Sequence, residues 1–176
     1  MQERYDRPTI VLHWITAVLV TVQWLMGRTT GLMARGPLRV DIWSIHVLLG
    51  VGITVVFLAR IAWRWRRGRR LPGVGTPFEQ AAAKLVHAGL YVVLGIVLAL
   101  GVANTIVHGF PLFNVLTVPG KQDMATILRV NAWHGLAANV FAVLVLLHAL
   151  AALFHHYVQR DGVLRRMGRQ VSRARR

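Results

Sequence analysis

Residues 133–157 read WHGLAANVFAVLVLLHALAALFHHY, and they decide the architecture. No Asp, Glu, Lys or Arg interrupts this run, and its length matches the roughly 17–25 residues that cross a bilayer as a helix. The apolar character is continuous rather than alternating, which argues against a strand of a membrane barrel. Toward the amino terminus, three more stretches of the same kind occupy residues 9–26, 40–63 and 85–107. The expected fold is therefore all-α, a transmembrane four-helix bundle. Residues 1–176 form one domain without an internal repeat.

Composition agrees with the pattern. The 176 residues are 55% hydrophobic, yet carry 21 Lys and Arg against 6 Asp and Glu, a formal net charge of +15. So apolar a chain with so much charge must segregate the two, which excludes an evenly solvated globule. The absence of cysteine excludes disulfide scaffolds, iron–sulfur clusters and thiol nucleophiles. Eight histidines remain to carry soft-ligand and proton chemistry.

The basic residues set the expected orientation. Sixteen of them fall at the amino terminus, in the second connection with Lys84, and in the carboxyl-terminal tail; the other side has only Arg28, Arg35, Arg39, Lys121 and Arg129. Lys and Arg concentrate in cytoplasmic flanks, so both termini are expected in the cytoplasm. That rule and attraction to anionic headgroups account for the arginine tail without a nucleic-acid partner. The first apolar run is long, contains His13 and Gln23, and exits through Gly27-Arg28-Thr29-Thr30 without a small-x-small site, so it is not read as a signal peptide. Residues 107–131 form an outer connection, with a short amphipathic helix expected over 123–130, and Thr76-Pro77-Phe78-Glu79 is a plausible start for the third helix.

Ionisable side chains inside a span are costly and read as functional by default. His134 and His148 are 14 residues apart, which on a helix is about 21 Å of rise with a net rotation of only about 40°. His13 enters from the same side that His148 approaches, and His46 from the opposite side, so the depths match as His13 with His148 and His46 with His134. Two inward-facing pairs are the arrangement that two bis-histidine haems require. Ala17, Gly50, Ala138 and Ala152 lie four residues after the four histidines and leave room for a flat macrocycle, although small residues also serve plain helix packing. His87 and His108 fall near opposite interfaces of the third span and read as anchors rather than partners. His155 lies one heptad beyond His148, and either rivals it as ligand or exchanges protons beside the inner site. The six tryptophans fit an aromatic belt.

Tyr5-Asp6-Arg7, His13-Trp14, Ile45-His46 with Gly50, Leu90-Tyr91, Trp133-His134-Gly135-Leu136-Ala137-Ala138-Asn139, and His148 followed by His155-His156-Tyr157 together resemble the bacterial cytochrome b561 family over nearly the whole chain. The resemblance implies an inner-membrane protein with two haem b groups that moves electrons to or from the quinone pool. It implies His13 and His148 as axial iron ligands of the inner haem, and His46 and His134 of the outer. One activity of that family is superoxide oxidation coupled to ubiquinone reduction. In that reading the outer basic residues attract superoxide, and His155, His87 or Lys84 serves the protons of quinone reduction. The alternatives are a cytochrome b subunit serving a partner dehydrogenase or hydrogenase, and a haem-free membrane scaffold or transporter.

Overall fold

In the computed structural model, residues 4–69, 71–120 and 123–168 are described. Four long helices dominate: α1 (Arg7–Thr30), α2 (Pro37–Arg66), α3 (Pro77–His108) and α4 (Met124–Phe154). All four are long and apolar enough to cross a membrane, which makes this a multi-pass membrane protein. Most large side chains on the outside, among them Val55, Leu58, Val92 and Leu146, are apolar and exposed, as lipid-facing helix surfaces must be.

The helix starts follow from local chemistry. Asp6 caps α1, accepting from the Thr9 N–H at 3.2 Å and the Thr9 hydroxyl at 2.8 Å. Thr76 caps α3 in a reciprocal capping box with Glu79, and Pro77 opens the helix. Both ends of these helices overrun the apolar stretches, because backbone pairing continues into the polar flanks until a proline or glycine intervenes.

Two expectations change at the third connection and beyond. Residues 123–130 are not a separate amphipathic helix but the first two turns of α4, since nothing between Met124 and Trp133 breaks the backbone ladder. The connection itself holds a two-stranded antiparallel hairpin, β1 (Phe110–Leu112) with β2 (Leu116–Val118), in register Leu112 to Leu116. Its turn uses left-handed backbone at Phe113 and Asn114, and the Phe113 N–H donates to the Ser44 hydroxyl at 2.9 Å. That bond seats the hairpin on α2. After α4 the chain widens into a π-helical turn over His155–Gln159, closed by left-handed Arg160, where the sequence suggested an unbroken helix to residue 157.

The helices pack as two hairpins, α1 on α2 and α3 on α4, with lighter contact between α2 and α3 and between α1 and α4. The core lies midway along the bundle, where Ile53, Phe57, Leu94 and Phe141 are buried and Leu19, Val20 and Leu90 pack around them. The first and last described residues and the α2–α3 connection gather at one end, here called the terminal end. Asp6 accepts from the Trp63 indole N–H at 2.6 Å and the Arg69 N–H at 3.0 Å, the Arg166 guanidinium donates to the Pro72 carbonyl at 2.8 Å, and the Trp14 indole donates to the Met167 carbonyl at 3.0 Å. The α1–α2 turn and the β-hairpin form the distal end.

Candidate functional site

A spacing of 14 residues runs through every helix, and α4 is only its most visible case. It joins His13 to Gly27 on α1, His46 to Arg60 on α2, His87 to Gly101 on α3 and His134 to His148 on α4. Halfway between lie Ile53, Leu94 and Phe141 of the central core and Val20, which packs against it. Two heptads return a helix to nearly the same face, so the bundle has three layers: a distal layer, an apolar middle and a terminal layer.

In the distal layer the rings of His46 and His134 face each other with centroids 6.4 Å apart and planes at 81°. Each is backed by a glycine on its hairpin neighbour. A Cβ on Gly27 would stand 3.2 Å from Cε1 of His46, and one on Gly101 would stand 3.2 Å from Cε1 of His134. Nδ1 of His134 lies 3.1 Å from the Val97 carbonyl; since a carbonyl only accepts, that nitrogen carries the proton and Nε2 keeps its lone pair. The Gln23 amide donates to the His46 backbone carbonyl at 2.6 Å, and Trp43 packs edge-on to the His46 ring. Nδ1 of His46 is buried without a hydrogen-bond partner among the described residues.

The terminal layer brings His13 and His148 to 6.2 Å between centroids, with planes at 72°. Here the flanking positions are polar. An Arg60 guanidinium nitrogen lies 3.2 Å from Nδ1 of His13, and its Cζ sits 5.2 Å above the Tyr91 ring. The His87 ring is 5.2 Å from that of His148. His87, read from the sequence as an interfacial anchor, is exposed on α3 but stands at the level of His148 and beside its ring. His108, the last residue of α3, is exposed at the distal end.

His155 stands apart from both pairs. Its Nδ1 is 2.5 Å from the Asp161 carboxylate, which the π-helical turn folds back beneath it, and Asp161 also accepts from the Val163 N–H at 3.0 Å. Burial works to raise the Asp161 pKa, but the Val163 N–H, His155 and Arg166 together hold it below the usual carboxylate range. Lys84 lies exposed on α3, one turn before His87. Of the basic residues expected to face the distal side, Arg39 donates to the Met33 carbonyl at 3.1 Å and Arg129 to the Thr126 hydroxyl at 3.2 Å, while Lys121 lies outside the described residues.

Sequence reasoning missed Gly27, Gly101, Arg60 and Asp161. The first three follow from the spacing already noticed on α4, had it been stepped along the other helices from His13, His46 and His87. No comparable signal marks Asp161, because its approach to His155 depends on the π-helical turn.

The donor sets fit haem. Two imidazoles on opposite sides of one metal, each nitrogen about 2 Å from it, have centroids roughly 6 Å apart, which is the separation of both pairs. Among the described residues no cluster of three or more His, Asp or Glu is placed to hold a metal ion. Paired histidines supply only two ligands, so they suit a metal that brings its own equatorial set. The glycines beside His46 and His134 keep those rings from being displaced, and the Val97 carbonyl fixes the tautomer that leaves Nε2 to bind.

The family model described as Prokaryotic cytochrome b561 matches residues 4–170. Among curated proteins, the chain is 34% identical over 176 residues to "Cytochrome b562" of Cereibacter sphaeroides, covering 94% of this chain and 95% of that one. It is 32% identical over 177 residues to "Probable superoxide oxidase CybB" of Yersinia pestis, with 95% and 97% covered. It is 30% identical over 174 residues to "Cytochrome b561 homolog 1" of Escherichia coli (strain K12), with 93% and 96% covered.

Proposed function

From the premise that this chain belongs to the prokaryotic cytochrome b561 family, a family of haem b-binding membrane electron-transfer proteins, we propose that it is a superoxide:ubiquinone oxidoreductase with two haems. His46 and His134 hold the distal haem, and His13 and His148 hold the terminal one. The observation that carries this reading is the pair of facing imidazoles at each of two depths, 6.4 and 6.2 Å apart. Haem held by these two pairs would supply reversible one-electron cycling of its iron.

The protein's own residues do the rest. Arg28, Arg35 and Arg129 place positive charge at the distal end, where it draws an anionic one-electron donor. The middle layer of Val20, Ile53, Leu94 and Phe141 excludes water and side-chain charge between the two sites. At the terminal end the His155–Asp161 pair holds and passes protons: the carboxylate fixes the imidazole by its Nδ1, leaving Nε2 to exchange with a quinone oxygen. His87 and Lys84 are further proton-bearing groups on that side. The balance is two superoxide ions, one ubiquinone and two protons giving two dioxygen molecules and one ubiquinol. The orientation proposed puts both termini in the cytoplasm and the bundle in the bacterial inner membrane as a single domain, 1–176. No nucleic acid enters this function.

The relative named a probable superoxide oxidase supports this choice over a carrier serving a separate dehydrogenase. The test is purified protein in detergent, assayed for haem per chain and then given superoxide and a soluble ubiquinone. Two haem b and superoxide-dependent ubiquinol formation are expected. Two haems that superoxide does not reduce, but a partner dehydrogenase does, would sink the oxidase reading and leave the electron-transfer subunit.

A further inference from the structure

We infer that Arg60 sets the order of the two haem potentials, holding the terminal haem above the distal one so that electrons run from distal to terminal. The inference rests on the two-haem reading and adds the direction of flow within it. Arg60 lies within α2, nearly two turns before its end, at the depth of the His13–His148 pair. An arginine inside a span is costly and is kept where it faces the bundle interior with something to act on. Its near neighbours are the His13 ring, at 3.2 Å from Nδ1, and the Tyr91 ring. Among the described residues no carboxylate forms an ion pair with it. Its charge is permanent, since guanidinium does not lose its proton in proteins.

Among the described residues the distal layer has nothing equivalent. Gly27 and Gly101 flank its histidines, and the one polar contact to a ligand ring among those residues, the Val97 carbonyl on Nδ1 of His134, has the opposite electrical sense. A carbonyl on the ligand's N–H makes the imidazole a stronger donor and favours ferric iron. A fixed cation beside the ligand favours the reduced state, which carries one positive charge fewer. An imidazole bound to iron through one nitrogen keeps its proton on the other, so in the loaded site Arg60 acts on His13 as a neighbouring charge and not as a hydrogen-bond donor. Both layers therefore push the same way. With haem held at both pairs, Arg60 and the Val97 carbonyl would favour transfer of one electron from the distal site, oxidised from ferrous to ferric, to the terminal site, reduced from ferric to ferrous, with no bond formed or broken and no proton required.

The test is a spectroscopic redox titration of the purified protein, with the two midpoints assigned from His134→Ala and His148→Ala, each retaining one haem. The terminal midpoint should be the higher. Arg60→Gln should shift electron sharing between the two sites at least tenfold toward the distal one, a fall of 59 mV in the terminal midpoint for a one-electron couple, with the distal midpoint unmoved. Arg60→Lys should restore the order. A wild-type protein whose distal midpoint is higher overturns the inference, as does a two-haem Arg60→Gln protein in which neither midpoint moves or both move alike. If Arg60→Gln fails to hold the terminal haem, Arg60→Met is titrated in its place, and a terminal midpoint that does not fall in that two-haem protein overturns the inference. A wild-type protein with fewer than two haems overturns the ligand assignment first, and with it this inference, before any potential is measured.

Discussion

At the distal end each facing histidine lies against a glycine, Gly27 or Gly101; at the terminal end the flanking places hold Arg60 and His87. The same 14-residue spacing builds both layers, so helix geometry alone does not account for the difference. What differs is the electrical surroundings of two like pairs of imidazoles. One is flanked by glycine backbone and the Trp43 ring, the other by a permanent cation and the ring of a further histidine, His87. A bundle that only stored two cofactors has no need of this asymmetry, whereas one that moves electrons along an axis and delivers protons at one end does.

The largest test of that division is ligand removal. His134→Ala should abolish the distal haem and leave the terminal one, and His148→Ala should do the reverse, each taking haem from two per chain to one in a pyridine haemochrome assay. Equal loss of both spectral components from either variant would break the two-layer division. A smaller effect should come from the His155–Asp161 pair. His155→Ala and Asp161→Asn should keep both haems while slowing quinone reduction, by on the order of a hundredfold if the pair is the proton source. Loss of the terminal haem in His155→Ala would instead make His155 a ligand.

A third substitution sharpens the contrast at the distal end. Gly101→Val puts branched carbon where even a Cβ is 3.2 Å from the His134 ring, and overpacking of this kind costs about 1–3 kcal/mol. It should reduce distal haem occupancy and leave terminal occupancy intact, with Gly101→Ala intermediate. If Gly101→Val retains the distal haem at full occupancy, the glycine is not what seats His134.

Much of this molecule was legible in the sequence. The four spans were visible because lipid demands continuous apolar runs, and the matching of His13 with His148 and of His46 with His134 in depth needed only chain direction and 1.5 Å per residue. The run to Tyr157 was visible too, but its final widening was not: the π-helical turn is held to α3 by a tertiary tie, Gln159 to Glu79 at 2.8 Å, that no local pattern announces. The place of His87 was misjudged for a related reason. Its contact with the His148 ring is tertiary, and depth measured from the apolar edge near residue 85 gave it no partner. The short helix expected over residues 123–130 failed in the opposite sense, since polar composition was mistaken for a break in the backbone.

The smallest effect concerns how the terminal end is tied together. Four groups from three segments converge on Asp6: the Thr9 N–H and hydroxyl, the Trp63 indole and the Arg69 N–H. Burial acts to raise its pKa, but the hydrogen bonds from Arg69, Thr9 and Trp63 outweigh it and lower the value from 3.8 to about 2. A carboxylate depressed in the folded state contributes stability that is fully present above the unfolded value and is lost as pH falls from there through the folded one. Acidification from pH 4 toward pH 2 should therefore loosen the terminal end first, read as faster proteolysis near residues 63–69. Among the described residues no distal carboxylate ties separate segments, since the hairpin there is held by the Ser44 hydroxyl; Asp123, which hydrogen bonds from Thr126 and Ala125 hold below the usual carboxylate range, bonds only within the first turn of α4, so acid should fray that turn without releasing a second segment. Asp6→Asn retains an acceptor for the helix cap but not the charge, so it should weaken the terminal end modestly at neutral pH and flatten the acid response. An unchanged acid profile in that variant would place the lability elsewhere.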